Sequence, residues 1–358
     1  MASIKKISNG KFQATVFIGR DANGKQMKKK ITRDTEKECK NAARELEQEV
    51  QDKRYINLDN IRLSAWMDKW LELNENRLSP STFVSYRMYA DVHLKNLGAL
   101  KLSQINEIHI KQYMNDKLKQ LSPTTVRKHM FVLKEMLHDA LKHKSPMTDI
   151  SLPQQEKYKP KVPTKKEFES IHAALKGTRD EILILLAAWC GLRRGEIFAM
   201  KWDDIDWVNQ TIRIDEAMAI SKNGFIEKLP KSKNGLRTIA APEYLISLLD
   251  RHRKKQKEIT ERIFNIRPDH YSSYFAELIR KNELPKIRFH DLRHYHASWM
   301  YTQGVPDHYA AQRLGHDIHV LKSIYQHLDM DIKNDIDNII RGNFGEQKDK
   351  KGKISTSP

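Results

Sequence analysis

A proline-rich segment divides this chain of 358 residues into parts that must fold separately. Its prolines stand among lysines where the helical spacing of apolar residues lapses, at Pro146, Pro153, Pro160 and Pro163. Proline cannot continue a helix and favours extended backbone, so residues 146–163 are predicted to form a linker. The chain is also longer than one ordinary domain. We therefore expect two or three domains and no single large core.

Residues 1–55 have the pattern of a small sheet followed by one helix. Alternating apolar residues at 12–18 predict a strand, and Gly24 favours the turn to a second strand. Thr35, with Glu38 three residues later, predicts the start of a helix that runs to about residue 52. Insertion of such a sheet into a DNA groove is favoured over a solvated hairpin, because lysines cluster beside the second strand. These lysines are Lys25, Lys28, Lys29 and Lys30.

Residues 58–145 have the spacing of a helical bundle, because apolar residues from 63 to 71 recur at helical intervals. Two helices are expected to begin at the pairs Ser79–Pro80 and Ser122–Pro123, since serine caps a helix and proline fits its first turn. The second of these helices carries basic residues off its apolar face, and these contact either solvent or phosphate. They are Arg127, Lys128 and Lys134.

After the linker, residues 164–340 predict a mainly helical domain with a small antiparallel sheet. Thr164 and Glu167 form a capping box that starts its first helix. Strands are expected at 211–214, around Phe225 and at 238–239. The whole pattern predicts a multidomain α+β fold: a small β-sheet-plus-helix domain, a helical bundle, and this larger domain.

The chain ends in a helical pattern and a polar tail. Isoleucines at 332, 336, 339 and 340 form one apolar face, for which packing within the chain and docking on a neighbouring subunit are both open. Residues 341–358 are rich in glycine and lysine and are predicted to be disordered.

The charge of the chain predicts a polyanionic partner. Lys and Arg total 64 against 46 for Asp and Glu, a formal net charge of +18. Nucleic acid is favoured over an anionic membrane, and a merely basic protein is the alternative. The most apolar run, 182–190, is too short to span a bilayer, and no signal peptide precedes it. Cys39 and Cys190 are far apart, which indicates a reduced, cytoplasmic protein.

Residues 289–325 concentrate polar chemistry in a stretch that is otherwise helical. His290 and Arg293 lie one helical turn apart, and an arginine fork beside an imidazole predicts a phosphate site. His316 follows in a Leu-Gly-His string, and Tyr325 comes nine residues later. A zinc site among the histidines here is disfavoured, because Arg293 would direct a fixed positive charge at the ion.

A second polar motif lies upstream, in Gly191-Leu-Arg193-Arg-Gly-Glu196. Gly191 is expected to stop a helix, which places Arg193 in a turn where its side chain can reach inward. Glu196, three residues later, is expected to hold that arginine in place. Each of these features is weak evidence by itself.

Taken in order, the motifs resemble those of the tyrosine recombinase (phage integrase) family. The match comprises Gly-Leu-Arg193-x-Gly-Glu196, a lysine in Pro-Lys231-Ser-Lys233, His290-x-x-Arg293, Leu-Gly-His316 and Tyr325. The resemblance covers nearly the whole chain. It implies an arm-site DNA-binding domain at 1–55, a SAM-like core-binding domain at 58–145 and a catalytic domain at 164–340. Two departures, Tyr295 in place of a small residue and the missing Asn-Pro after the core-binding domain, touch no catalytic position.

The resemblance also implies roles for these residues. Tyr325 would be the nucleophile that attacks the scissile phosphate, leaving a 3′-phosphotyrosine and a free 5′-hydroxyl. Arg193 and Arg293 would stabilise the charge that develops on the phosphate. His290 would assist removal of the tyrosine proton.

His316 would donate to the phosphate, and a lysine would protonate the 5′-oxygen as it leaves. Lys231 is favoured for that task, with Lys233 the alternative and otherwise a DNA contact. The phosphotyrosine conserves the bond energy, so the resemblance implies neither a cofactor nor a metal ion.

The function implied is site-specific recombination that integrates, and also excises, a phage or mobile element. The expected partners are double-stranded attachment sites of core and arm type, other copies of the chain in a homotetramer, and accessory DNA-bending proteins. A type IB topoisomerase-like enzyme and a non-catalytic architectural DNA-binding protein are the alternatives.

Overall fold

The computed structural model describes residues 3–20, 24–51, 61–142, 145–155, 161–229, 235–256, 258–315, 318–319 and 322. The chain divides into two compact units, residues 1–78 with 85–156 and residues 79–84 with 157–358. Most of the described residues are helical, and the remaining regular structure forms small antiparallel sheets. This confirms the predicted multidomain α+β fold. Within the described ranges, no helix has the length and apolar character needed to cross a bilayer.

The first unit begins with a three-stranded antiparallel sheet and one helix. The strands are β1 (Ser3–Lys6), β2 (Phe12–Arg20) and β3 (Gln26–Arg33), in that order across the sheet. Helix α1 (Glu36–Gln51) packs on one face through Cys39, Ala43 and Leu46. The Glu38 amide donates to Thr35 Oγ1 at 3.2 Å, so the predicted helix start is confirmed. Residues 21–23 of the predicted turn lie outside the described residues.

The helical part of the first unit contains α2 (Leu63–Asn74), α4 (Lys95–Gly98), α5 (Glu107–Leu118) and α6 (Pro123–Leu141). Helix α3 (Pro80–Met88) is divided, with residues 80–84 in the second unit and residues 85–88 in the first. One π-helical turn and one 3₁₀ turn, Tyr89–His93 and Leu102–Gln104, separate them. Both helices predicted from Ser-Pro pairs are present. The indole N–H groups of Trp66 and Trp70 tie α2 to α6, donating to Met136 O at 2.7 Å and to Asp139 Oδ2 at 2.6 Å.

The second unit contains α7 (Lys165–Leu175), α8 (Arg179–Ala188), α9 (Arg194–Ala199), α10 (Glu243–Lys255), α11 (Pro268–Lys281), α12 (Asp291–Thr302) and α13 (Asp307–Leu314). Every residue of α8 from Ile182 to Ala188 is buried, so this short helix lies at the centre of the core. The predicted capping box is confirmed, since Glu167 and Thr164 exchange hydrogen bonds of 2.8 and 3.2 Å. Tyr295 stacks on Phe168 at 4.7 Å, so the larger side chain is accommodated.

Two small sheets lie in the second unit. Strands β4 (Ile205–Asp206), β5 (Thr211–Ile214) and β8 (Arg237–Ala240) form one, and β6 (Ala217–Ser221) with β7 (Gly224–Lys228) forms the other. All pairs are antiparallel. The three predicted strands are confirmed, whereas β4 and β6 were not predicted. Between β7 and β8, residues 230–234 lie outside the described residues.

Candidate active site

The turn between α8 and α9 brings the backbone of Gly191 against two other elements. Gly191 has φ +68°, a conformation that glycine adopts without strain. A Cβ atom here would lie 2.6 Å from Leu314 Cδ2 and 2.7 Å from His296 Cδ2. The turn therefore needs glycine both for its backbone conformation and for this close approach. It delivers Arg193 to the N-cap position of α9.

Arg193 is held by two groups. Its Nη1 donates to Glu196 Oε1 and its Nη2 to Gly315 O, both at 2.7 Å. Its backbone amide also donates to Glu196 Oε2 at 2.8 Å. The predicted contact between Glu196 and Arg193 is thus present. The guanidinium joins α9 to the residue that ends α13, and that residue directly precedes His316.

Arg293 lies in α12 and is 1% exposed. Its Nη1 donates to Gly191 O and its Nη2 to Leu314 O. Its Nη1 also lies 3.9 Å from Glu196 Oε2, while its Nε has no hydrogen-bond partner within the described ranges. Arg293 therefore bonds both the turn that carries Arg193 and the carbonyl of Leu314, next to the Gly315 carbonyl that Arg193 bonds.

Sequence reasoning missed Arg237, which completes this cluster. Its Nη2 donates to Glu196 Oε2 at 2.8 Å and its Nη1 to Glu196 Oε1 at 3.2 Å. Its Nε donates to Arg313 O at 2.7 Å, and its Nη1 also reaches Gly235 O at 3.0 Å. One signal for it was in the sequence: Arg237 is two residues before the apolar Ile239, so both point to the same, inner face of a strand.

In the part of the chain that the structure describes, Glu196 is the one carboxylate that pairs with these three guanidinium groups, and it is 3% exposed. Burial raises the pKa of Glu196, but the hydrogen bonds and charge of Arg237 and the charges of Arg293 and Arg193 outweigh burial and leave that pKa at about 2. The carboxylate is therefore ionised at neutral pH. Without it, three like charges would repel one another.

His290 does not lie inside α12 but caps its N-terminus, and it is exposed. Its ring stands edge-on to that of His294, with centroids 5.0 Å apart. Partial desolvation lowers the pKa of His290, and the nearby His294 and Arg293 lower it further. The imidazole is therefore neutral at pH 7 and has a ring nitrogen that can accept a proton.

Several predicted site residues cannot be placed beside this cluster. Lys231, Lys233, His316 and Tyr325 lie outside the described residues, as does the apolar face at 332–340. In the parts of the chain that are described, no group of three or more His, Cys, Asp or Glu side chains is arranged to hold a metal ion.

The predicted DNA contacts of the small sheet fall on different faces. Lys28 and Lys30 are exposed and pair across the strands with Phe17 and Thr15, on the face away from α1. Lys29 pairs with the buried Val16 and therefore points toward the α1 side. Lys25 is exposed beside the turn.

The basic residues of α6 also differ. Lys128 and Lys134 are exposed. Arg127 is half-buried, donates to Pro153 O at 3.0 Å, and lies 5.1 Å from the centre of the Phe131 ring. Arg127 therefore stabilises its own unit, while the two lysines remain accessible.

Comparison with known proteins identifies the family. The model of the phage integrase family matches residues 161–331, and that of the phage integrase N-terminal SAM-like domain matches residues 62–118. A XerC-like tyrosine recombinase of Caldanaerobacter subterraneus subsp. tengcongensis is 30% identical, over 90% of this chain and 94% of its own length. This chain belongs to the tyrosine recombinase family. The prediction of a site-specific recombinase that integrates a phage or mobile element is confirmed.

Other tyrosine recombinases agree over most of the chain. The ICEBs1 integrase of Bacillus subtilis is 23% identical, over 91% of this chain and 95% of its own length. The Tn1549 transposon integrase in complex with a circular intermediate DNA has a TM-score of 0.64 at 21% identity, covering 78% of this chain and 100% of that one. A lambda integrase tetramer bound to a Holliday junction has a TM-score of 0.57 at 19% identity, covering 88% and 91%. At these identities, the two structures support the fold alone.

Proposed function

We propose that this recombinase cuts one DNA strand by attack of Tyr325 on the scissile phosphate, forming a 3′-phosphotyrosine and releasing a 5′-hydroxyl. The observation that carries this proposal is the convergence of Arg193 and Arg293 on residues 314 and 315, immediately before His316. The chain that continues to Tyr325 thus leaves from the arginine cluster. Rejoining is the same reaction in reverse, with the 5′-hydroxyl of a new strand as the nucleophile.

In this mechanism the arginines act electrostatically. Attack by a tyrosinate turns the phosphodiester monoanion into a dianionic phosphorane. Arg193 and Arg293 are held before the reaction by Glu196 and by backbone carbonyls, so little reorganisation is needed when this charge develops. His316 adds a further donor to the non-bridging oxygens.

Two other groups transfer protons in this mechanism. As the bond from Tyr325 Oη to phosphorus forms, the phenol proton goes to His290, whose lowered pKa keeps it neutral and able to accept. As the bond from phosphorus to O5′ breaks, a lysine ammonium gives that oxygen a proton. We assign this general acid to Lys231, with Lys233 as the alternative.

We further propose that the first unit contacts DNA through two surfaces. The open face of the small sheet, with Lys28 and Lys30, would bind arm-type sites, and Lys128 and Lys134 of α6 would bind core-type sites. The active species would be a homotetramer on double-stranded DNA in the host cytoplasm, with accessory DNA-bending proteins assisting. The domain bounds predicted at 1–55, 58–145 and 164–340 are part of this proposal.

Covalent trapping tests the proposal. In a DNA substrate nicked just beyond the cleavage site, the short fragment that carries the new 5′-hydroxyl diffuses away, so the protein–DNA adduct accumulates and can be counted after denaturing electrophoresis. We expect an adduct with the unaltered protein and none with Tyr325→Phe, which keeps the ring and lacks the hydroxyl. An adduct that persists in Tyr325→Phe would refute the assignment of the nucleophile.

A further inference from the structure

The two strands that flank the lysine segment, residues 230–234, are each held by an ion pair. Arg237 of β8 follows the segment and Glu227 of β7 precedes it. Neither residue has a role in the mechanism above. Both are directed into the second unit, and they pair with groups on quite different elements.

The anchor after the segment is Arg237. Its side chain is 3% exposed and donates to Glu196, Gly235 O and Arg313 O. These acceptors lie on α9, on the chain just after the lysine segment, and on α13. One planar guanidinium therefore fixes the start of β8 to the carboxylate that also holds Arg193. A lysine has a single nitrogen and cannot make these bonds together.

The anchor before the segment is Glu227. Arg262 Nε donates to Glu227 Oε1 at 2.5 Å, and Lys201 Nζ lies 3.5 Å from Glu227 Oε2. Lys201 Nζ also lies 3.1 Å from Glu216 Oε2, just before β6. Lys201 and Arg262 are joined by a backbone bridge, so their positions are linked. The hairpin of β6 and β7 is thus fixed at its open end, beside the start of the lysine segment.

From these contacts we infer that Arg237 and Glu227 are positioning residues for the general-acid lysine, an inference that rests on the proposed function. A general acid acts only within hydrogen-bond reach of the leaving oxygen. A displacement of about 1 Å can cost about 100-fold in rate. A lysine side chain has four rotatable bonds and restrains itself little, so we assign the positioning task to the anchored strands β7 and β8.

The inference is tested with two DNA substrates that differ in one atom. One has the normal 5′-bridging oxygen and the other a 5′-bridging sulfur. In the second, the bond from phosphorus to sulfur breaks and a thiolate leaves. A thiol has a pKa of about 8.5, against about 15.7 for water, so the thiolate leaves without a proton. Cleavage of the sulfur substrate therefore does not need the general acid.

We expect Arg237→Lys and Glu227→Gln to slow single-turnover cleavage of the oxygen substrate by about 10- to 100-fold. Cleavage of the sulfur substrate should stay within about threefold of the unaltered protein. Arg193→Lys should instead slow cleavage of both substrates, because Arg193 stabilises charge on the phosphate and this charge develops with either leaving group. Glu277→Gln is the matched control for Glu227→Gln: it makes the same exchange in a Glu–Arg pair, with Arg280 of α11, and these side chains are 44% and 71% exposed. It should leave both rates unchanged.

The possible results separate two failures. If neither Lys231→Ala nor Lys233→Ala is rescued by sulfur, the general-acid assignment itself is wrong. If one of them is rescued while both anchor variants are slow on sulfur as well, or normal on oxygen, the positioning role is refuted and the general acid stands. Glu227 is half-buried and Glu227→Gln is nearly isosteric, so this variant decides the matter even if Arg237→Lys fails to fold.

Discussion

Replacing Glu196 by glutamine tests the electrostatic account of the site most directly. The substitution keeps the shape of the side chain and removes its charge. In the native protein this carboxylate lies 2.7 Å from Arg193, 2.8 Å from Arg237 and 3.9 Å from Arg293. Among the described residues, Glu196→Gln removes the carboxylate that pairs with all three guanidinium groups. The amide nitrogen of glutamine is a hydrogen-bond donor and cannot accept from the arginines.

Two routes give the size of the effect. Removing one partner of a buried ion pair costs about 3–5 kcal/mol, because the remaining charge stays desolvated. Independently, the pKa of Glu196 falls from 4.5 to about 2 on folding. That shift corresponds to about 3 kcal/mol of stability from the ionised carboxylate. For a unit of about 200 residues, 3 kcal/mol lowers Tm by about 6–12 °C.

Urea unfolding of the native protein and of Glu196→Gln, followed across pH, measures this difference. Because the folded pKa is depressed, the stabilisation is complete above the unfolded pKa of 4.5 and is lost as pH falls toward 2. The two unfolding free energies should therefore converge in acid. Glu169→Gln, an exposed residue 3.9 Å from Lys165, is the control and should change stability by less than about 0.5 kcal/mol. A difference that persists unchanged at pH 3, or no difference at pH 7, would refute the reasoning.

Three further predictions follow from single positions. Gly191→Ala should destabilise the protein by about 2–4 kcal/mol in thermal unfolding, because the added Cβ would lie 2.6 Å from Leu314 and 2.7 Å from His296. Gly177→Ala is the control: Gly177 has φ +79° and nothing within 4 Å, so this change should cost only about 1–2 kcal/mol. Adduct formation should persist below pH 6.5 if neutral His290 accepts the proton, because its pKa is lowered; a decline centred at 6.5 would contradict this. Lys28→Ala should reduce the salt dependence of arm-site binding, by about 0.9 in the slope of log K against log salt, whereas Lys40→Ala on α1 should not.

Local signals in the sequence predicted local structure well. Thr164 with Glu167 and Ser122 with Pro123 mark helix starts that are present as predicted. These signals work because the groups that satisfy a free helix end lie within three residues of it. The strand at 211–214 could also be predicted from sequence, because the alternation of inward and outward side chains is a property of the strand itself.

Side-chain direction at the site was harder to predict. Spacing put His290 and Arg293 on one helical face, but α12 begins at Asp291, so His290 precedes the helix and is exposed while Arg293 is buried. The helical spacing of residues in a sequence does not specify the residue at which the helix begins. Arg237 was missed because its partner Glu196 is 41 residues away, and only the tertiary fold brings them together.

The charge count of the cluster explains why Arg237 matters although it need not touch DNA. Three guanidinium groups and one carboxylate leave a net charge of +2. In the mechanism proposed above, the phosphodiester carries one negative charge, whereas the phosphorane formed by tyrosinate attack carries two. An excess of two positive charges therefore complements the transition state better than the bound substrate, which is the requirement for catalysis. If Arg237 were absent, Glu196 would neutralise half of the charge that Arg193 and Arg293 supply. Buried Arg237 balances Glu196, so the carboxylate can orient the other two arginines without cancelling them.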